Sequence, residues 1–159
     1  MLFRSALTFT SANYATPQNV SITAVDDNVV ESAHTCTVTY TPSSDTFYSG
    51  ELRTNTINII DNDQAFIAVG DVSAFEGNTG SPVITFTVTM TNPVTGGVSM
   101  TYSTTDGTAE AGEDYIAASG SVNFPSLSTT SQSISITLIP DRRPEPGSSR
   151  QFTLNLAGL

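Results

Sequence analysis

The segment TTDGTAEAGEDY, residues 104–115, gathers acidic side chains in a short stretch that contains no lysine or arginine. Its four acids are Asp106, Glu110, Glu113 and Asp114. Carboxylates this close together repel one another unless a cation lies among them. Calcium suits such a loop, because it takes roughly six to eight oxygen ligands in an irregular geometry. The segment therefore predicts a calcium site, and the alternative is that its aspartates, like Asp141, only form turns and caps.

The residue types of the whole chain favour calcium over other metals. Zinc prefers histidine or thiolate ligands, and His34 and Cys36 are the only residues of these types. Magnesium keeps several of its waters and takes fewer protein ligands. The formal net charge of -10 over 159 residues disfavours nucleic acid and anionic membranes as partners. A single cysteine also excludes an internal disulfide.

The elements that position these acids are predicted to be β-strands. Apolar residues alternate with threonine and serine in ITFTVTM (84–90), VSMTYST (98–104), ISITL (134–138), FTLNL (152–156), NVSITAV (19–25), TCTVTY (35–40) and TINII (56–60). Alternation at period two is typical of strands with one buried face and one wet face. Turn-forming segments separate them, and no segment has the periodicity of an amphipathic helix. The sequence therefore predicts an all-β, antiparallel β-sandwich.

An internal repeat is also predicted. When Val20 is aligned with Ile134, the residues Ile22, Ala24, Asp27 and Glu31 fall on Ile136, Leu138, Asp141 and Glu145. With two more residues inserted, Cys36, Val38 and Tyr40 fall on Phe152, Leu154 and Leu156. We therefore expect a fragment of a tandem array. Residues 1–63, the first repeat, are predicted to be the C-terminal part of one unit, and residues 64–159, the second repeat, a unit lacking its last strand.

Several motifs resemble those of the Calx-beta domain, the immunoglobulin-like module of sodium–calcium exchangers, an integrin tail and many bacterial surface proteins. The resemblance lies in DVSAFEGNTG (71–80), FTVTMTNP (86–93) and the signature from Asp106 to Tyr115. It covers residues 66–156 well, and residues 7–63 resemble the closing part of a related module. It implies an immunoglobulin-like sandwich. It also implies loops at one end that bind calcium in some members, often at the junction with the next domain.

Strand order supports the same prediction independently. Strands of the second repeat are expected at 66–74, 83–90, 98–104, 115–123, 133–139 and 151–156. In an antiparallel sandwich, the loops after odd-numbered strands share one end, and these loops carry the acids. The predicted calcium ligands are Glu76, Asp106, Asp141 and Glu145 in the second repeat, and Asp26, Asp27, Glu31, Asp61 and Asp63 in the first.

These observations favour a calcium-binding structural or adhesive repeat of a large extracellular or cell-surface protein. Its partners would be calcium, the neighbouring repeats of the same chain, and a cell-surface protein or glycan. One alternative is a protein- or glycan-recognition module without bound metal. Another is a calcium-sensing regulatory domain of a membrane protein. We do not expect an enzyme, because nothing in the sequence positions a carboxylic acid of raised pKa beside an apolar pocket.

Overall fold

Eight β-strands make up the regular structure of this protein. The computed structural model describes residues 6–41, 53–142 and 149–158, and no helix occurs within these ranges. The strands are β1 (His34–Tyr40), β2 (Arg53–Ile59), β3 (Ile67–Val69), β4 (Val83–Met90), β5 (Val98–Asp106), β6 (Ser119–Phe124), β7 (Gln132–Thr137) and β8 (Phe152–Ala157). The predicted all-β class is confirmed.

The second repeat is a sandwich of two antiparallel sheets, with strand orders β3-β4-β7 and β6-β5-β8. Alternate residues of β4 are buried and the residues between them are exposed, as the period-two pattern predicts. The core side chains are Ile84, Phe86, Val88, Met90, Met100, Ala109, Tyr115, Val122, Phe124, Ile134, Ile136 and Leu138. Across the two sheets, the rings of Phe86 and Phe152 meet edge to face at 6.1 Å. The predicted immunoglobulin-like antiparallel sandwich is therefore confirmed.

The described part of the first repeat contains only the hairpin β1–β2. Its register runs from His34 opposite Ile59 to Tyr40 opposite Arg53, and no side chain of either strand is fully buried. The predicted strand at 19–25 is wrong, because these residues form no strand. Their counterpart β7 pairs with β4, and no described residues of the first repeat supply an equivalent neighbour.

Two strands of the second repeat are shorter than predicted. The expected strand at 66–74 is regular only as β3, and the expected strand at 115–123 becomes β6 four residues later. Tyr115 instead forms isolated bridges with Ala111 and with Leu138. These bridges hold the residues before β6 against the end of β7, so the segment cannot continue as a regular strand of the other sheet.

Backbone hydrogen bonds show which loops share an end of the sandwich. At one end, the amide of Leu138 donates to the carbonyl of Pro82 at 2.8 Å. The amide of Ile139 donates to the carbonyl of Asp114 at 2.9 Å, so the residues after β7 lie against the loop after β5. We call this the acidic end. At the opposite end, Gly97 has φ 77°, and a Cβ there would lie 2.5 Å from the Phe124 carbonyl oxygen. Only glycine fits this close approach.

Candidate metal centre

The acids of the first repeat come together where β2 ends and β1 begins. Asp61 accepts two backbone hydrogen bonds, from the Glu31 amide to Oδ2 at 2.8 Å and from the Asp63 amide to Oδ1 at 3.1 Å. The side-chain amide of Asn62 donates to Oδ1 of Asp26 at 3.3 Å. The loop at 26–31 is therefore tied to the segment at 61–63, although the two are remote in sequence.

Local electrostatics in this cluster are set by an excess of negative charge. The backbone N–H groups of Glu31 and then Asp63 lower the pKa of Asp61, because they stabilise its charged form. Burial raises the pKa of Asp63, and the charges of Asp61, Asp26 and Asp27 raise it further. Four carboxylates therefore lie within electrostatic reach of one another. We call Asp26, Asp27, Glu31, Asp61 and Asp63 the junction cluster.

The junction cluster lies at the contact between the two repeats. The amide of Val30 donates to the carbonyl of Pro93 at 2.9 Å, and the amide of Thr95 donates to the carbonyl of Val30 at 2.9 Å. The Thr95 hydroxyl also lies 3.4 Å from Oε1 of Glu31. On the other side of this carboxylate, Nδ1 of His34 lies 3.2 Å from Oε2. Glu31 thus contacts both repeats, which sequence reasoning did not predict.

Within the second repeat, Asp106 closes its own loop. Its Oδ1 atom accepts a hydrogen bond from the Tyr115 hydroxyl at 2.6 Å and another from the Ala111 amide at 3.0 Å. The Tyr115 ring is buried and stacks on the ring of Phe152 at 4.2 Å. Asp106 thus ties Ala111 and Tyr115 to the end of β5.

Asp114 has a cationic partner that lies far away in the sequence. Its buried carboxylate accepts from Nη1 of Arg150 at 2.9 Å and from the Glu110 amide at 2.6 Å. The same arginine nitrogen lies 3.4 Å from the Thr108 carbonyl oxygen. The sequence did not predict this pair, because Arg150 follows Asp114 by 36 residues and lies outside the segment at 104–115. The pairing of β8 with β5 brings the residues before β8, including Arg150, to this loop.

The remaining predicted ligands of the second repeat are less well defined. Glu76 and Asp141 are half-buried and lie in loops at the acidic end. Glu145 lies outside the described residues. Across 6–41, 53–142 and 149–158, no three His, Cys, Asp or Glu side chains are arranged so that they could hold a metal ion. The structure therefore groups the predicted loops without forming a complete coordination site from them.

Removing the Tyr115 hydroxyl tests the closure of the Asp106 loop. We expect Tyr115→Phe to lower the free energy of unfolding by about 1–2 kcal/mol, because a buried hydrogen bond to a charged group is lost. Burial and the bond to Asp106 raise the pKa of Tyr115 above its usual value of 10.0. The protonated phenol is therefore favoured in the folded state, so its stabilising contribution is present below pH 10 and is lost as pH rises through the folded pKa.

Chemical denaturation at neutral pH and above pH 10 measures both effects. The wild-type chain should lose stability in alkali more steeply than Tyr115→Phe. Tyr14→Phe is the control, because Tyr14 is 74% exposed and contributes no buried hydroxyl. Parallel alkaline curves for the wild type and Tyr115→Phe would contradict the role assigned to this hydroxyl.

Comparison with known proteins defines the class to which this sandwich belongs. The model of the Calx-beta domain matches residues 3–71 and, overlapping them, residues 61–159. The chain therefore belongs to the Calx-beta domain family. The boundary between residues 63 and 64 stays a prediction, because the two matches overlap there.

A solved structure with a similar chain is the crystal structure of the apo form of the Calx CBD1 domain. The two are 28% identical, with a TM-score of 0.44, over 48% of this chain and 65% of that one. No curated protein matches the chain. Among the described residues, no helix has the length and apolar character needed to cross a membrane.

Proposed function

We propose that this chain is a calcium-binding structural repeat of a large extracellular or cell-surface protein, with an ion at the junction cluster. The observation that carries the proposal is the position of this cluster beside Val30, whose backbone is hydrogen-bonded to Pro93 and Thr95 of the second repeat. An ion bound there would be held by one repeat at the surface of the next. Calcium would then control the stiffness of the array rather than a chemical reaction.

The donor set of the junction cluster fits calcium chemically. All five side chains are carboxylates, and hard oxygen donors are the ligands that calcium prefers. Burial and, after it, the charges of Asp61, Asp26 and Asp27 raise the pKa of Asp63, so the charged form of this side chain is disfavoured in the cluster. A divalent cation would supply the missing positive charge. Asp26 and Asp27 are exposed, so their side chains are accessible from solvent.

Ligand binding at this cluster is proposed to require a local rearrangement. Both oxygens of Asp61 accept backbone hydrogen bonds, and the described side chains form no ready three-residue metal group. The carboxylates of the loop at 26–31 and of the segment at 61–63 would therefore have to reorient toward a common ion. Such a change orders the junction only when calcium is present, which is how a structural repeat becomes calcium-dependent.

The acidic end of the second repeat is the weaker candidate in this chain. Its predicted ligands are Glu76, Asp106, Asp141 and Glu145. Oδ1 of Asp106 already accepts two hydrogen bonds, and Arg150 provides positive charge to Asp114 in the same loop. Part of the electrostatic demand for a metal is thereby met by the protein itself. We propose that the junction cluster binds calcium more tightly than this end does.

Calorimetry and thermal unfolding of the full chain test the proposal. Calcium should bind with measurable heat and raise the thermal midpoint, because a ligand that binds only the folded state stabilises it by about 2.7 kcal/mol at a hundred times its dissociation constant. Magnesium should do so poorly, since several flexible loops do not meet its octahedral geometry. The variant Asp26→Asn with Asp27→Asn should lose most of both effects, because asparagine keeps an acceptor oxygen but removes the charge.

The matched control is Glu113→Gln, which removes one exposed carboxylate from the second repeat and leaves the junction cluster intact. Its response to calcium should equal that of the wild type. If the wild-type chain shows neither heat nor a shift in midpoint with calcium, the calcium proposal is wrong. The chain would then be a metal-free spacer.

A further inference from the structure

The turn after β4 contacts the loop that carries Glu31. We call residues 91–95 of this turn the docking segment. The amide of Val30 donates to the carbonyl of Pro93, and the amide of Thr95 donates to the carbonyl of Val30, both at 2.9 Å. Val30 and Glu31 are both half-buried. The backbone immediately before this carboxylate is thus fixed against the second repeat.

The docking segment also holds the chain that follows Asp63. The side-chain amide of Asn92 donates to the carbonyl oxygen of Gln64 at 2.8 Å. Beside this bond, the amide of Thr91 donates to the carbonyl of Phe66 at 3.0 Å, and the Thr91 hydroxyl accepts from the Phe66 amide at 2.9 Å. Both halves of the junction cluster, at 26–31 and at 61–63, are therefore anchored beside the same five residues.

Local sequence explains why a side chain makes the bond to Gln64. Pro93 has no amide hydrogen to donate, and its ring restricts the preceding residue to extended conformations. That residue is Asn92, which is half-buried and lies two residues after the end of β4. Its side-chain amide carries two N–H donors. Among the residue types of the docking segment, TNPVT, only asparagine has a side-chain N–H group.

We propose that Asn92 is a positioning residue for the calcium site of the junction cluster, an inference that rests on the proposed function. Asn92 does not bind the ion. It fixes the backbone after Asp63 while Val30 fixes the backbone before Glu31, so that only carboxylate side chains have to reorient when calcium binds. A site held near its binding conformation costs less to occupy. Apparent affinity falls with the fraction of molecules in that conformation.

Repulsion within the junction cluster gives this anchoring its importance. The charges of Asp61, Asp26 and Asp27 act on Asp63 and disfavour its charged form. Before calcium binds, like charges favour conformations in which the two halves of the cluster are farther apart. The docking segment contains no acidic or basic residue. It therefore opposes this separation without neutralising the carboxylates that the ion needs.

Calorimetry of calcium binding to full-chain variants tests the inference. Asn92→Ala should weaken calcium binding by about 2- to 10-fold, the factor that one net hydrogen bond supplies. Asn92→Leu keeps the branched shape of the side chain without a donor, and should weaken binding to the same extent. Asn92→Gln retains the donating amide on a longer side chain, and its affinity should lie between those of Asn92→Ala and the wild type.

The matched control is Asn123→Ala, which should bind calcium as tightly as the wild type. Asn123 is exposed on β6, opposite Ser99 near the start of β5, and so lies at the same end of the sandwich as the docking segment. Its replacement removes one asparagine side chain from this end and leaves the bond to Gln64 in place.

Amide hydrogen exchange gives a second measurement, which a merely stabilising bond would not affect. In the wild type, calcium should slow the exchange of the Val30 and Thr95 amides, because ion binding and docking of the repeats stabilise each other. This slowing should be smaller in Asn92→Ala. Protection of the amides in β4 and β7 should be the same in both proteins, which verifies that the variant is folded.

Two outcomes separate this inference from the function on which it rests. If the wild type binds no calcium, the calcium function and the role of Asn92 are both wrong. If the wild type binds calcium and Asn92→Ala and Asn92→Leu bind it equally tightly, only the role of Asn92 is wrong. Equal losses of affinity in Asn92→Ala and Asn123→Ala would also overturn that role alone.

Discussion

Replacing Asp114 with alanine should lower the free energy of unfolding by about 3 kcal/mol, because the loss of one partner leaves a charge of a largely buried pair uncompensated. Asp114 is 8% exposed. Its Oδ2 atom accepts both from Arg150 at 2.9 Å and from the Glu110 amide at 2.6 Å. The variant therefore removes an ion pair and leaves a loop amide without its acceptor. Chemical denaturation at neutral pH measures the effect.

Glu113→Ala is the matched control for this change. Glu113 is the adjacent carboxylate, but its side chain is exposed, so its removal should change the free energy of unfolding by less than about 0.5 kcal/mol. A double-mutant cycle with Asp114→Asn and Arg150→Gln isolates the pair. If the coupling between the two substitutions is close to zero, or if both alanine variants lose equal stability, the ion pair does not hold this loop.

The fold was largely predictable because local pattern and burial agree in the second repeat. Each alternate residue of β4 enters a core built from both sheets, so its period-two pattern identifies a strand and its inward face together. The segment at 19–25 has the same pattern but forms no strand. An alternating pattern indicates that a segment can bury one face. The segment forms a strand only where a neighbouring strand provides hydrogen bonds.

Strand order predicted which loops lie close together, but not the side-chain contacts within them. Strand order alone indicated which loops share an end, and the bond between Ile139 and Asp114 shows two of them together. Side-chain partners depend on register and on residues remote in sequence. Arg150 reaches Asp114 because β8 pairs with β5 in a particular register. No spacing within residues 104–115 encodes that register, so the sequence could not predict that Arg150 reaches Asp114.

Aspartates two residues apart in the junction cluster should respond in opposite directions to loss of charge. In calcium-free solution at neutral pH, Asp61→Asn should lower the thermal midpoint. Its carboxylate uses both oxygens to accept from the amides of Glu31 and Asp63, and an asparagine side chain offers only one acceptor oxygen. The lowered pKa of Asp61 likewise indicates that its charged form stabilises the folded chain. Its stabilising contribution is present above the usual pKa of 3.8 and is lost as pH falls through the folded value.

Asp63→Asn should instead raise the midpoint in calcium-free solution. Burial and the neighbouring charges of Asp61, Asp26 and Asp27 raise the pKa of Asp63 above 3.8. A group of raised pKa contributes stability below the unfolded value and loses it as pH rises through the folded value. At neutral pH its charge is therefore unfavourable, and removing the charge relieves repulsion.

Calcium should reverse this second effect. If Asp63 is a ligand, the wild type gains stability from the ion, whereas Asp63→Asn gains less. Scanning calorimetry in chelator and in calcium should therefore rank Asp63→Asn above the wild type in the first solution and below it in the second. If the order of the two thermal midpoints is the same in chelator and in calcium, Asp63 is not a calcium ligand. A midpoint for Asp63→Asn below the wild type in chelator would show that its charge is not under repulsion in the folded chain.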